Sequence, residues 1–168
     1  MAVQTTYLAD VPVAYAGMLY DNGPNDVFSM INKEATAEIP FGVAVAFEGS
    51  TRDAGILSID ATTDKACGIV LHSHMYSTLD VGTTGLKPGA VMNILRKGRV
   101  WVTAEMAVAP GDRLFIRAVV TGAEVEGALA NAADSTDMID STNQGVWLTT
   151  AAIGGLAVLE VDFTNLKT

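Results

Sequence analysis

His72 and His74 are the only histidines in the chain. On a strand, their i, i+2 spacing sets both imidazoles on one face, which is how two ligands of a metal edge are arranged. A metal site needs at least one more ligand. Asp80 is the nearest carboxylate downstream, but no spacing rule selects it and no His-x-x-x-His or Cys-x-x-Cys accompanies the pair. The pair reads as a surface or interface feature, and no bound metal is expected. Asp134, Asp137 and Asp140 recur every third residue. The alternating order and closing Glu of an EF-hand loop are missing, so a solvated acidic loop is expected. Cys67 sits in the apolar string Ala66-Cys67-Gly68-Ile69-Val70-Leu71 and reads as a small core side chain. Arg96-Lys97-Gly98-Arg99 followed by Trp101 has the outline of a basic-aromatic patch, yet in a chain of net charge -9 it reads as a strand bend with solvated cations. The nucleophile-elbow, phosphate-loop and dinucleotide-loop motifs are absent from the sequence. The expectation is a protein that is not an enzyme and needs no cofactor.

The elements that carry these residues are strands. Period-two patterning is clearest at Leu156 to Phe163, where Ala157, Leu159, Val161 and Phe163 share one face and Glu160 and Asp162 the other. Val43 to Phe47, Val91 to Leu95, Val100 to Thr103 and Leu114 to Arg117 behave similarly. Ile39-Pro40-Phe41-Gly42, Lys87-Pro88-Gly89 and Ala109-Pro110-Gly111-Asp112 each place a Pro just ahead of a Gly and predict tight turns into strands. A short helix is conceivable only over Glu126 to Asp134. These signals predict an all-β fold: a small β-barrel or jelly-roll-like sandwich over residues 36–168, preceded by an extended N-terminal arm or hairpin over residues 1–35.

With 168 residues, the chain is of a size for one domain with a sizeable core. Aromatic residues make up only 7% of it, so that core must be built largely from Ala, Val, Leu and Ile. The net charge of -9 argues against a nucleic-acid partner, because phosphate binding draws on clustered Lys and Arg. Leu148 to Leu159, the longest apolar stretch, is interrupted by Thr and Gly and is too short to span a bilayer. Nothing at the N-terminus resembles a secretory signal, so synthesis in a cytoplasm is expected.

Several stretches together resemble the structural cement proteins of tailed-phage heads. They are Ala14 to Tyr20, Ile39 to Val45, Asp64 to Val70, Lys97 to Val102, Val108 to Phe115 and Gly155 to Val161. That resemblance implies a cofactor-free β-barrel or jelly-roll-like subunit on the outer surface of the virion capsid. It would decorate the head, bridge copies of the major capsid protein and assemble with itself, as a trimer ahead of a dimer. Two other readings stay open: a tail receptor- or carbohydrate-binding module, and a jelly-roll metal-dependent enzyme using His72 and His74. The candidate interface residues are Tyr7, Leu8, Val11, Tyr15, Met18 and Leu19, for their apolar and aromatic character near one end, with Arg96, Lys97 and Arg99 as cations.

Overall fold

The computed structural model describes residues 13–50, 54–134 and 136–164. Among the described residues, ten strands form two antiparallel sheets. The larger has seven strands: β1 (Asp26–Ile31), β2 (Ala44–Phe47), β3 (Ile56–Ser58), β4 (Ala66–Val70), β5 (Val91–Thr103), β9 (Gly145–Trp147) and β10 (Leu156–Asp162). Its order is β3-β2-β4-β5-β10-β9, with β1 also paired to β5. The smaller sheet, in the order β7-β6-β8, comprises β6 (Phe115–Arg117), β7 (Leu129–Ala130) and β8 (Met138–Asp140).

The all-β expectation holds. The only helical element among the described residues is one 3-10 turn at Glu48–Ser50, and none is long and apolar enough to cross a membrane. The short helix considered at Glu126 to Asp134 does not form, because Leu129 and Ala130 pair with Ile116 and Phe115 instead. The architecture is sandwich-like and the larger sheet is not a closed barrel. The sheet curls until Asn32, just past β1, bridges Ile56 of β3, but that single bridge is not a shared ladder.

The three Pro-Gly turns form as expected, each glycine carrying the positive φ that a tight turn demands: 77° at Gly42, 82° at Gly89 and 88° at Gly111. The segments Val91 to Leu95 and Val100 to Thr103, legible as separate strands, are one strand of 13 residues. Its ladder with β1 skips a residue between Asp26↔Lys97 and Val27↔Leu95, which leaves Arg96 bulged. A one-residue slip turns the following side chains to the opposite face. Met92 and Ile94 therefore enter one core while Val100 and Val102 enter the other.

These two cores lie on opposite faces of the larger sheet, which explains why all five residues of β4 are buried. The first lies under the smaller sheet and is built around Leu114, Ile116, Leu129, Trp147, Leu159 and Phe163. The second fills the concave side of the curl with Ile39, Val45, Ile56, Cys67, Met92 and Ile94. Cys67 is the buried small side chain expected of it.

Candidate functional site

Tyr7, Leu8 and Val11 lie outside the described residues. The segment that follows is fastened to the sheet by backbone bonds. Gly17 N–H donates to the Trp101 carbonyl at 2.7 Å, His72 N–H donates to the Gly17 carbonyl at 2.8 Å, and Trp101 N–H donates to the Met18 carbonyl at 2.8 Å. Glycine is required here, since at φ 83° a Cβ would lie 2.7 Å from the His72 nitrogen and 2.8 Å from the Val70 carbonyl oxygen. Ala14 is buried, Leu19 packs against the first core, and Tyr15 remains half exposed.

Arg96, Lys97 and Arg99 are not the solvated cations that the sequence suggests. Arg96 bonds Asp26, Lys97 Nζ lies 2.7 Å from Asp162, and Arg99 contacts Glu160 at 2.7 Å and Asp21 at 3.2 Å. The register explains this, because Lys97 and Asp162, like Arg99 and Glu160, are directly opposed cross-strand residues. The hydrogen bond from Lys97, with further ones from Thr164, pulls the Asp162 carboxyl down to about 2. The ladder is solvent-exposed and screened by water, so these pairs align the strands and add little to stability.

His72 and His74 do not stand side by side on a strand. β4 ends at Val70, and the His72 amide turns aside to the Gly17 carbonyl. The two rings meet edge to face with centroids 5.2 Å apart, and His72 also lies against Phe41 at 4.8 Å and Tyr15 at 6.0 Å. Among the described residues, no group of three His, Cys, Asp or Glu side chains is placed to hold a metal.

Burial, with the neighbouring His74 adding to it, pushes the His72 imidazole below its ordinary value of about 6.5. Between that lowered value and 6.5 the unfolded chain binds more protons than the native one. Stability is thus complete above about pH 6.5 and declines as the pH falls towards the folded-state value. Thermal melts at pH 8 and pH 5.5 should show a larger drop for the wild type than for His72→Gln. Equal drops would remove this linkage.

The loop beyond the histidines is held open in a fixed form. Tyr76 donates its hydroxyl proton to the Leu71 carbonyl at 3.1 Å and accepts from Asn93 N–H at 2.9 Å. Ser73 and Ser77 accept from the Met75 and Leu79 amides. Around that anchor the side chains of Met75 and Leu79 stand out into solvent, 93% and 81% exposed.

Sequence reasoning missed two features. One is this pair of exposed apolar side chains, whose only signal was the Ser-x-apolar spacing repeated at 73 and 77. The other is Arg117. Only 2% exposed, it contacts Glu105, Glu124 at 3.2 Å and Asp134 at 3.1 Å. Burial works to lower its pKa, and the hydrogen bonds to Glu105 and Asp134 outweigh that and raise it. Asp134 thus serves as an internal ion-pair partner as well as part of an acidic loop.

These surfaces offer apolar and aromatic contact on a two-sheet scaffold, which suits protein docking. Comparison with known proteins agrees. Residues 3–162 match the family described as "Structural cement protein (E217 gp24/Pam3 gp6)". The fold is similar to a chain of the capsid of Myoviridae Phage XM1, at 18% identity and a TM-score of 0.70 over 96% of this chain and 98% of that one. A more distant match, at a TM-score of 0.41 and 17% identity, is the head fiber gp8.5 N base of bacteriophage phi29, with 86% of this chain and 100% of that one covered. No curated protein matches the chain. With nearly its whole length matched, the chain belongs to the structural cement protein family and is a structural component of the phage capsid.

Proposed function

We propose that this protein seats on the outside of a tailed-phage head, bridges neighbouring copies of the major capsid protein and stabilises the shell by binding alone, without catalysis. The family match over residues 3–162 carries this reading. A ligand that binds only the assembled lattice stabilises it by mass action, and many identical copies add to that through multivalency. Self-association as a trimer ahead of a dimer fits a lattice with three-fold and two-fold positions. The residues ahead of Ala14, with Tyr7, Leu8 and Val11, act as an apolar docking arm continued by Tyr15, Met18 and Leu19. Arg96, Lys97 and Arg99, already ion-paired, contribute at the rim.

The test is sedimentation of purified protein with undecorated heads. The expected result is saturable, stoichiometric co-sedimentation and a higher temperature of head disruption. Absence of binding to both expanded and unexpanded heads would overturn the reading.

A further inference from the structure

The larger sheet has one face that runs out from under its cover. On the convex side of the curl, Ile69, Leu71 and Leu95 are buried in the first core. The same side continues onto β1 and the start of β5, where the described residues leave it open. β1 alternates strictly: Phe28 and Met30 pack into the second core, and Val27, Ser29 and Ile31 point outward. Across the ladder, Ile31 opposes Val91 and Ser29 opposes Asn93, with a 2.8 Å hydrogen bond from the Ser29 hydroxyl to Asn93 Oδ1. Val27, Ile31 and Val91 are 41%, 39% and 57% exposed, high values for β-branched side chains on a regular sheet.

The open face is continuous with a groove. Val27 and Asn93 line it together with Met18, Leu19, His72 and Met75. Met75 forms its projecting lip, fixed by the Tyr76 anchor, and Tyr15 extends it through its stack on His72. None of these residues is a carboxylate, in a chain of net charge -9. Self-repulsion is therefore least where this face meets a partner.

We infer that this face, formed by β1, the first residues of β5 and the His72–Met75 loop, is the surface that seats on the capsid protein. The inference rests on the cement reading above. The composition selects a capsid protein over a second copy of this chain. Obligate homo-oligomer interfaces resemble a core cut in half and are strongly apolar. Here Ser29, Asn93, His72 and His74 are interspersed with exposed Val, Ile and Met side chains. That mixture keeps a subunit soluble alone and still supplies an apolar centre when it meets a partner that is already assembled.

The experiment uses the full chain with Val91→Glu and, separately, Met75→Glu. The two positions lie on different elements and both are well exposed, so folding of one does not depend on tolerance at the other. Ile153→Glu, at the exposed turn before β10, is the control. Binding to undecorated heads is measured by co-sedimentation, folding by thermal melts, and association by sedimentation velocity. The expected result is a loss of affinity of more than about tenfold for Val91→Glu and Met75→Glu, unchanged melts, and wild-type binding by Ile153→Glu. Wild-type binding by both face variants would overturn the inference and leave the cement reading standing. If the wild type itself fails to bind any head, the cement reading falls and the inference with it. If the face variants instead lose self-association and retain head binding as isolated subunits, the face joins copies of this chain and the capsid assignment is wrong.

Discussion

Replacing Arg117 with methionine is expected to cost about 3 to 5 kcal/mol of folding stability, which for a chain of this size lowers the melting temperature by roughly 6 to 20 °C. The size follows from what the substitution leaves behind. The guanidinium is buried and gathers carboxylates from three loops, at Glu105, Glu124 and Asp134. Without it, Glu105 would keep a carboxylate mostly withdrawn from water with no cation beside it, and one of its oxygens already has no hydrogen-bond partner. Removing one member of a buried ion pair is far more damaging than removing both, so Arg117→Met/Glu105→Gln should recover part of the loss. A melting temperature within about two degrees of wild type for the single variant would show that the cluster contributes nothing.

The contrast between Arg117 and the turns shows what a linear sequence can reveal. A Pro followed by Gly acts within four residues, so the turns at Gly42, Gly89 and Gly111 were legible. The C-terminal strand was legible for a similar reason: Ala157, Leu159, Val161 and Phe163 are all buried, as their period-two spacing requires. Arg117 closed a short strand pattern, Leu114 to Arg117, that says nothing of its partners. Its burial depends on acidic side chains 12, 7 and 17 positions away in sequence. No local rule joins them.

The cations at 96 to 99 failed for the same reason, since their partners Asp21, Asp26, Glu160 and Asp162 come from strands and loops that only the register brings together. The outward face of β1 was hidden differently. Asp-Val-Phe-Ser-Met-Ile has hydrophobic residues on both parities, so its pattern does not say which side is covered. The histidine pair was singled out for its spacing, yet its meaning changed once the chain left the strand at Val70. Spacing constrains geometry only when the backbone between the residues is regular.

Trp147→Ala is expected to cost a further class-defining loss, about 3 to 5 kcal/mol, in a domain whose whole stability is of the order of 5 to 15 kcal/mol. Trp147 is among the largest fully buried side chains of the described residues and sits where the two sheets meet. Its backbone lies opposite Leu159 on β10, while its indole N–H reaches the Ala130 carbonyl of β7 at 3.3 Å. One residue thus ties the smaller sheet to the larger one, and a core this poor in aromatic residues has few ways to refill the space it would vacate. Trp147→Phe separates the two contributions. It keeps most of the ring and gives up only the indole hydrogen bond, so it should lose about 1 kcal/mol for that bond plus a smaller packing term. Chemical denaturation of the three proteins reads both steps, with the m-value unchanged if the native state keeps its extent. If the alanine variant loses less than about 1 kcal/mol, the two sheets are not held together through this side chain. If it instead unfolds only the smaller sheet, near-ultraviolet signals and head binding will part company: the docking face on β1 and β5 belongs to the larger sheet, so binding should survive the loss of its cover only as long as Leu95 and Ile69 remain out of water.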